Sequence, residues 1–332
     1  MTKSVRYLDE ADVAGVLDSA AIYAVVESTM KGIAAGRVIS GPKAGFHIAD
    51  QNGERFMASV SGCLLDQGVA GAKWFSACDD NPKRGLPRIT AAIVISDCIN
   101  GAIKGCVEGT SLTAARTAAL AVLSLKHCGS KNASKAAIVG FGAIGQLVLR
   151  YLKQELGITH FAIAGSQFEK MQKAAAELQG SLGVQIDVVR TSGEAVRDAD
   201  LVITATGLTH DDPVVFLSAI KPGATVCALG SFQEIDDALI ARADRIFVDH
   251  WESCEHRGNL APMIKAGRFT RDDIQSEIAD VIAGKGIGRG SDDETVLIVL
   301  IGVGPLDIAL AARALQLADI RSMESVQRSE TP

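Results

Sequence analysis

The sequence predicts an α/β protein of two domains, one built on a doubly wound parallel sheet and the other mixing helices with a second sheet. Three observations lead to this prediction. The chain has 332 residues, 48% of them hydrophobic, which is enough for more than one core. Strand-like and helix-like segments alternate regularly after Asn132, whereas strand-like runs dominate before it. A glycine-rich turn, Gly140 to Gly145, joins the first strand of the alternating region to its first helix.

The first third of the chain begins with helical periodicity and then becomes rich in strand-like runs. Apolar residues recur at helical spacing from Asp9 to Ala35, and Gly36 follows where a helix would end, so two short helices are predicted. Three strand-like runs follow: FMASVSGCLL, GVAGAKWFSA and RITAAIVISD. A helix of small residues is predicted from Thr110 to His127. This part of the chain is therefore predicted to form a sheet-containing domain.

The region after Asn132 alternates between the two periodicities. The predicted strands are AAIVGF, HFAIAG, QIDVVR, LVITAT, TVCALG and RIFVDH, and the helices between them are GQLVLRYLKQEL, KMQKAAAELQ, GEAVRDA and VVFLSAI. Because strands that alternate with helices form right-handed parallel units, a doubly wound sheet is predicted. A helix QSEIADVIAG and a loop GKGIGRGSDD follow. The last helix, PLDIALAARALQLADI, is predicted to pack on the first domain, which gives domains of residues 1–125 with 301–332 and of residues 126–300.

Charge and cysteine usage narrow the class of protein. The 39 acidic and 33 basic side chains give a formal net charge of −6, which argues against nucleic acid as a partner. The seven cysteines are scattered and never spaced as CxxC, so neither a disulfide framework nor a metal site is expected. No apolar run reaches about 18 residues, and the N-terminal residues are unlike a signal peptide. A cytoplasmic protein without a membrane partner is expected.

The turn AAIVGFGAIGQLVL, from Ala136 to Leu149, has the spacing GxGxxG. This spacing is weak evidence by itself, but here it follows an apolar strand and begins an amphipathic helix. In that setting the first glycine makes a tight turn, the second lets backbone approach a pyrophosphate, and the third lets helix and strand pack closely. The turn therefore predicts a dinucleotide-binding site.

The choice between NAD and NADP stays open at this level. Sites for NAD usually place a carboxylate at the end of the second strand, but here that strand ends in Ala164-Gly165-Ser166-Gln167. Neither a carboxylate nor an arginine occupies the position, and Ser166 or Gln167 could bond either a hydroxyl or a phosphate. Thr206 and the pair Gly230-Ser231 end later strands, at the edge where such sheets bind ligands.

Three basic residues lie in segments that are otherwise apolar or rich in small residues. They are Lys73 in GAKWFS, Arg88 in GLPRITAAIVISD and Arg116 in EGTSLTAARTAAL. Because a buried charge is costly unless an anion meets it, these residues are candidates for binding an anionic substrate. Arginine can grip a carboxylate with two nitrogens, and lysine can donate or accept a proton. Structural ion pairs are an equal alternative for each residue taken alone.

Six segments, in this order along nearly the whole chain, resemble the ornithine cyclodeaminase/mu-crystallin family: GAKWFS, GLPRITAAIVISD, INGAIKGCVEGTSLTAARTAAL, AAIVGFGAIGQ, VITATG and GRGSDDETVLIVLIGVGPLDIALAARA. Within it, KWFSACDDNPKRGLPRITA resembles the branch that includes N-(2-amino-2-carboxyethyl)-L-glutamate dehydrogenases. The resemblance implies a Rossmann domain inserted between an N-terminal segment and a returning C-terminal helix, which together form a substrate-binding and dimerisation domain. It also implies a homodimer that passes a hydride between NAD or NADP and the nitrogen-bearing carbon of an amino acid or imine.

The same resemblance suggests roles for individual residues. Lys73 would contact the substrate carboxylate or transfer a proton, and Arg116 would hold the carboxylate. Lys43 or His47 would replace a substrate-binding arginine of the family, and Asp307 has an acidic position for which a structural role is expected. The full set of predicted cofactor-binding residues is Thr90, Thr117, Gly140, Gly142, Ala143, Ile144, Gly145, Ser166, Gln167, Thr206, Gly230, Ser231 and Gly302.

One departure from the family separates the possible activities. Cyclodeaminases carry a Gly-Asp-x-Pro-Gly-Lys-like stretch after the fifth strand, but here Gly230-Ser231-Phe232-Gln233-Glu234 is shorter and lacks the aspartate. Glu234 would supply a carboxylate or begin the next helix, with equal weight. Oxidation of an amino acid or secondary amine, or the reverse imine reduction, is therefore the leading hypothesis. The alternatives are a cyclodeaminase with a retained NAD and a non-catalytic NADPH-binding protein like mu-crystallin.

Overall fold

The computed structural model describes residues 5–51 and 53–329. The chain divides into two compact units. The first takes in the chain up to Arg116 and again from Val303 onward, and the second runs from Thr117 to Gly302. One helix, Thr110–Cys128, begins in the first unit and ends in the second.

The first unit is built on a mixed sheet of seven strands, with three helices of its own and a fourth that it shares with the second unit. The strands are β1 (Arg6–Leu8), β2 (Val38–Ser40), β3 (Ala44–Asp50), β4 (Gly53–Leu64), β5 (Val69–Cys78), β6 (Ile89–Asp97) and β7 (Ile103–Glu108). The helices are α1 (Glu10–Val16), α2 (Ser19–Ala34), α3 (Thr110–Cys128, shared with the second unit) and α11 (Gly304–Ser329). The sheet order is β1-β7-β6-β5-β4-β2, with β3 also paired to β4. Only the pairing of β1 with β7 is parallel.

Helix α11 covers one face of this sheet, as its small-residue sequence predicts. A Cβ on Gly105 of β7 would lie 2.6 Å from Leu315 Cδ2, so only glycine lets the helix approach this closely. The apolar side of α11 is fully buried, including Leu306, Ile308 and Leu310. The predicted helices α1 and α2 and strands β4, β5 and β6 are present. Strands β2, β3 and β7 went unpredicted because they are short or have little alternation.

The second unit is a parallel sheet of eight strands with helices between them. Its strands are β8 (Lys135–Val139), β9 (His160–Ala164), β10 (Gln185–Val188), β11 (Leu201–Thr204), β12 (Thr225–Ala228), β13 (Arg245–Val248), β14 (Ser276–Glu277) and β15 (Val296–Val299). Its helices are α4 (Ala143–Leu156), α5 (Phe168–Leu182), α6 (Ser192–Val196), α7 (Asp237–Arg242), α8 (Trp251–Cys254), α9 (Ala261–Lys265) and α10 (Ile278–Ile282). The order is β10-β9-β8-β11-β12-β15-β13-β14, so the strand order reverses between β8 and β11.

Three details of the second unit differ from the sequence prediction. The predicted helix VVFLSAI is wrong, because only Leu217–Ala219 form one 3-10 turn and Val215 instead bridges to Ile235. The segment QSEIADVIAG begins as strand β14 before it becomes helix α10. Strand β15 lies between β12 and β13, and its uniformly apolar run fits a strand buried on both faces.

Across the described part of the chain, no single helix has the length and apolar composition needed to cross a membrane. Helices α1 and α2 meet those criteria only when taken together, and they are bent by 85° relative to each other.

Candidate active site

A buried ion pair lies where β5 faces helix α11 in the first unit. Lys73 points from β5 toward the helix-covered face of the sheet, and its Nζ lies 2.7 Å from Asp307 Oδ2. Asp307 is in the first turn of α11, where the helix dipole favours a negative charge. The Lys73 side chain is 4% exposed and the Asp307 side chain 0%, so water screens this pair very little.

Helix α3 adds two polar side chains to the pair. Thr113 and Arg116 are three residues apart and therefore share one face of the helix. The Thr113 hydroxyl accepts a hydrogen bond from Lys73 Nζ at 3.2 Å and donates one to Asp307 Oδ1 at 3.0 Å. Arg116 Nε also donates to Asp307 Oδ1, at 3.3 Å. One buried carboxylate thus holds two cations that the sequence analysis singled out separately.

The charge state of Asp307 follows from these contacts. Burial by itself would raise the pKa of the carboxyl, but the charges of Arg116 and Lys73, with hydrogen bonds from Lys73 and Thr113, lower the pKa below its ordinary 3.8. Asp307 is therefore ionised at neutral pH. The cluster joins two cations to one anion, so it can bind a further carboxylate.

The predicted substrate residues Lys43 and His47 lie at the exposed end of the same sheet face. Lys43 Nζ is 4.5 Å from the ring centroid of Phe56 and 5.0 Å from that of Phe75. Lys73 Nζ lies 5.5 Å from the same Phe75 ring, and the His47 and Phe56 rings are 4.6 Å apart. Two aromatic rings therefore connect Lys43 and His47 to the buried cluster.

The structure separates Thr90 and Arg88 from this cluster. In the sheet register, Thr90 pairs with Ser76, whereas Lys73 pairs with Ile93, so the two side chains point to opposite faces. Arg88 Nε donates to Asp79 Oδ1 at 2.8 Å in a partly exposed ion pair. Arg88 thus has the structural role that was left open as an alternative. Within the first unit, Thr90 has no part in the Lys73 cluster.

The glycine-rich turn of the second unit has the geometry that its spacing predicts. Gly140 has a φ of 93°, and a Cβ there would lie 2.4 Å from the Ala205 carbonyl oxygen, so this position requires glycine. A Cβ on Gly145 would lie 2.3 Å from the Gly140 oxygen, which shows how closely α4 packs on the turn. Gly142 precedes α4, where a Cβ would meet no atom within 4 Å. Backbone at Gly142 is thus open to a pyrophosphate at the helix N-terminus.

Buried Glu234 ties together the strand ends next to this turn. Its Oε1 accepts the backbone N–H of Thr206 at 2.9 Å and the Thr206 hydroxyl. Its Oε2 accepts the Thr204 hydroxyl and, at 2.8 Å, the backbone N–H of Gly230. Asn259 Oδ1 accepts the backbone N–H of Glu234 at 2.6 Å. Burial raises the pKa of Glu234 despite these hydrogen bonds.

The helix-start role considered for Glu234 is not observed, and its carboxylate instead binds the strand ends. The following helix, α7, is capped by Asp236, whose side chain accepts the backbone N–H of Leu239. In the sequence, Glu234 was notable only as an acid in the stretch that follows Gly230. Its contacts with several strand ends can be recognised only in the folded structure.

A second buried acid lies at the same edge of the parallel sheet. Asp249 follows β13 and accepts the backbone N–H groups of Ile301 at 3.1 Å and Gly302 at 2.6 Å. Gly302, a predicted cofactor residue, has a φ of 91° and is held in place by this carboxylate. The sequence analysis missed Asp249, which its position after a predicted parallel strand could have revealed.

The other predicted cofactor residues belong to the second unit, and most of them lie on its loops or helix ends. Ala143 and Ile144 form the first turn of α4, and Ser166 and Gln167 are exposed between β9 and α5. Thr117 lies on α3. Ser231 follows β12 and lines a cavity of about 780 Å³ together with Phe232, His256, Arg257 and Lys265. Among the residues described, no group of three or more potential metal-ligating side chains comes together.

The glycine turn and its strand edge define a dinucleotide-binding α/β protein, and the other unit supplies a buried cationic cluster. The chain belongs to the ornithine cyclodeaminase/mu-crystallin family, whose model matches residues 4–316. This finding confirms the family and the fold class predicted from the sequence.

Three similar proteins illustrate the range of the family. The chain is 28% identical over 267 residues to a Delta(1)-pyrroline-2-carboxylate reductase of Bacillus cereus, covering 79% of this chain and 80% of the relative. It is 26% identical over 269 residues to an N-((2S)-2-amino-2-carboxyethyl)-L-glutamate dehydrogenase of Staphylococcus aureus, covering 80% and 78%. The iminosuccinate reductase of Paracoccus denitrificans, solved with NAD+, superimposes with a TM-score of 0.84 at 25% identity, over 96% of this chain and 97% of the other.

Proposed function

We propose that this protein is an NAD(P)-dependent oxidoreductase that acts on the C–N bond of an amino acid, a secondary amine or an imine. The observation that carries the proposal is the cluster of Lys73 and Arg116 around the buried carboxylate of Asp307. The named relatives, which are reductases and dehydrogenases of imines and amino acids, support the same reaction class. The open backbone at Gly142 and the edge formed by Thr206, Gly230 and Gly302 fit a dinucleotide.

The chemistry divides between the two cations of the cluster. Arg116 donates to Asp307 through Nε, and its terminal nitrogens would grip the substrate carboxylate. Lys73 is held as an ammonium by Asp307, so its Nζ can donate a proton to the substrate nitrogen or stabilise charge that develops there. The nicotinamide cofactor, when bound, supplies or accepts the hydride. In the oxidative direction the resulting imine is opened by water to a ketone and an amine.

The assignment is tested by a scan of amino acids, secondary amines and imino acids with both NAD(H) and NADP(H), following absorbance of the reduced nicotinamide. An oxidoreductase changes the amount of reduced cofactor in step with substrate. A cyclodeaminase would convert ornithine or lysine with no net change in absorbance. A non-catalytic binding protein would bind the reduced cofactor and turn over none of the compounds.

Replacement of Arg116 by alanine is expected to lower kcat/KM at least about a hundredfold, because the substrate carboxylate loses a charge-assisted hydrogen-bonding partner. Cofactor affinity, measured by the fluorescence of the bound reduced nicotinamide, should stay within about twofold. Arg88→Ala is the matched control, since it removes an arginine of the same unit that pairs with Asp79 instead. Unchanged turnover in Arg116→Ala would rule out the proposed role of this residue.

We further propose that two copies of the chain associate through the face of the first sheet that α11 leaves uncovered. This face presents large exposed apolar side chains: Tyr7, Ile39, Phe46, Trp74, Val94 and Ile103. Trp74 and Phe46 lie 6.2 Å apart, centroid to centroid, near its middle. Large exposed apolar side chains gathered on one face of a sheet are typical of an interface between subunits. The seven free cysteines fit a cytoplasmic location.

The dimer is tested by Trp74→Glu, which places a charge in the middle of this face. The wild-type protein should sediment as a dimer, and the variant should dissociate into monomers because a buried unpaired charge is costly. Leu86→Glu, which also replaces an exposed apolar residue of the first unit but lies outside the sheet, is the control and should stay dimeric. A wild-type monomer, or a Trp74→Glu dimer of unchanged affinity, would contradict the proposal.

A further inference from the structure

Three parallel strand ends meet on the far side of the glycine turn. Val139 of β8 pairs with Ala164 of β9, and β9 pairs with β10 up to Ile163 and Val188. The backbone N–H of Val189 continues the ladder by donating to the Ile163 oxygen at 3.0 Å. One more step along this register brings Arg190 beside Gly165.

Gly165 in turn lies against the cofactor turn. A Cβ built on Gly165 would be 3.8 Å from the Cα of Gly140. Arg190, Gly165 and Gly140 therefore follow one another across the carboxyl ends of three adjacent strands. The middle strand end is the place where a dinucleotide fold contacts the ribose hydroxyls, and here it carries Ser166 rather than a carboxylate.

The guanidinium of Arg190 contacts an aromatic ring beside these three strand ends. Its Cζ lies 4.5 Å from the ring centroid of Phe168, the first residue of α5. At this distance the cation is attracted to the face of the ring, which favours a position of the guanidinium beside these strand ends. Among the side chains of residues 5–51 and 53–323, Arg190 enters no ion pair, so its charge is available to a ligand.

The acidic groups near these strand ends are engaged elsewhere or point to solvent. The Glu194 carboxylate accepts the backbone N–H groups of Arg190, at 3.1 Å, and of Thr191, at 3.3 Å, as the capping group of α6. Glu169 lies exposed to solvent in the first turn of α5. The side chains of Ser166 and Gln167 are exposed next to Gly165 and can donate to an oxygen anion.

We propose that Arg190, with Ser166 and Gln167, forms a binding site for the 2′-phosphate of NADP(H), so that the enzyme prefers NADP(H) to NAD(H). The inference rests on the proposed function, because it places the adenosine ribose at the end of β9. A dianionic phosphate matches the planar guanidinium of Arg190, which can offer two parallel hydrogen bonds. A phosphate ligand also fits the absence of a carboxylate at the end of β9, since a carboxylate there would repel a phosphate.

The site is tested without turnover by calorimetric titration of the full-length protein with adenosine 2′,5′-bisphosphate and with ADP. The wild-type protein should bind the 2′-phosphorylated compound about tenfold to a hundredfold more tightly, in line with charge-assisted hydrogen bonds to one phosphate. Arg190→Gln should remove this difference and leave ADP affinity unchanged. In kinetics the same variant should raise the KM for NADPH about tenfold or more and leave kcat and the KM for NADH in place.

Arg197→Gln is the matched control, because it removes the same charge from an exposed arginine at the end of α6 and should keep the preference. Equal affinity of the wild-type protein for both compounds, or an unchanged preference in Arg190→Gln, would overturn the 2′-phosphate site while leaving a cofactor site in place. If neither adenosine compound and neither dinucleotide binds, the proposed function is overturned as well.

Discussion

Asp307→Asn should cost about 3 to 5 kcal/mol of unfolding free energy and lower kcat/KM about a hundredfold to a thousandfold. The amide keeps the shape of the side chain but removes the charge that holds Lys73 and Arg116 together in a site almost free of water. The two cations would then repel each other and move apart, and the substrate carboxylate would lose its fixed partners. Chemical denaturation and steady-state kinetics on the same preparation measure the two effects.

The pH dependence of the stability loss gives a separate test. Because the folded state lowers the pKa of Asp307, ionised Asp307 stabilises the protein above the ordinary carboxyl value of 3.8, and this contribution is lost as the pH falls below it. The difference in unfolding free energy between wild type and Asp307→Asn should therefore be constant near neutral pH and shrink below about pH 3.8. A difference that stays constant to lower pH would show that charge is not what Asp307 contributes.

Glu234→Gln should destabilise the protein by about 2 to 3 kcal/mol and weaken dinucleotide binding about tenfold, although the two side chains have the same shape. Each Glu234 oxygen accepts one backbone N–H, from Thr206 or from Gly230, and a backbone N–H cannot reverse its direction. A glutamine must turn its NH2 group toward one of them. The displaced Ala205–Thr206 peptide then no longer matches Gly140, which packs directly on it.

The sign of the pH effect is opposite to that at Asp307. The folded state raises the pKa of Glu234, so the stabilisation that this group supplies is fully present below the ordinary value of 4.5 and is lost as the pH rises through the raised pKa. The advantage of wild type over Glu234→Gln should therefore shrink with rising pH. Glu255→Gln is the control, because Glu255 is an exposed acid of the same unit that lies outside the strand edge. Gln233→Glu would not serve, because Gln233 is itself buried.

The parts of the fold that repeat a regular pattern could be predicted from the sequence. The alternation after Asn132 and the glycine spacing from Gly140 to Gly145 are local signals, and both are matched by observed elements. Strand β15 and the failed helix at Val214–Ile220 depend on which neighbours cover an apolar run, which periodicity cannot tell. The same limit explains why β3 and β7 were not recognised.

The candidate site also has residues that the sequence could identify and contacts that only the folded chain reveals. Lys73 and Arg116 could be identified because a charge among small and apolar residues is unusual, whichever neighbours it has. Their meeting on Asp307, 191 residues beyond Arg116, is a property of the folded chain alone. Arg190 gave no sequence signal, since its position becomes informative only when β10 lies beside β9 and Phe168 lies beneath the guanidinium.

The return of α11 to the first unit has a consequence for how the protein is made. The strands of the first unit are synthesised before the second unit, but the helix that covers them is synthesised after it. The second unit is continuous in sequence and can fold during translation. The apolar face of the first sheet stays uncovered until α11 has been synthesised. Lys73 and Arg116 gain their common counter-ion only when the segment from Val303 onward is added, so a nascent chain that ends before Val303 carries the glycine turn but lacks the carboxylate of the buried cationic cluster.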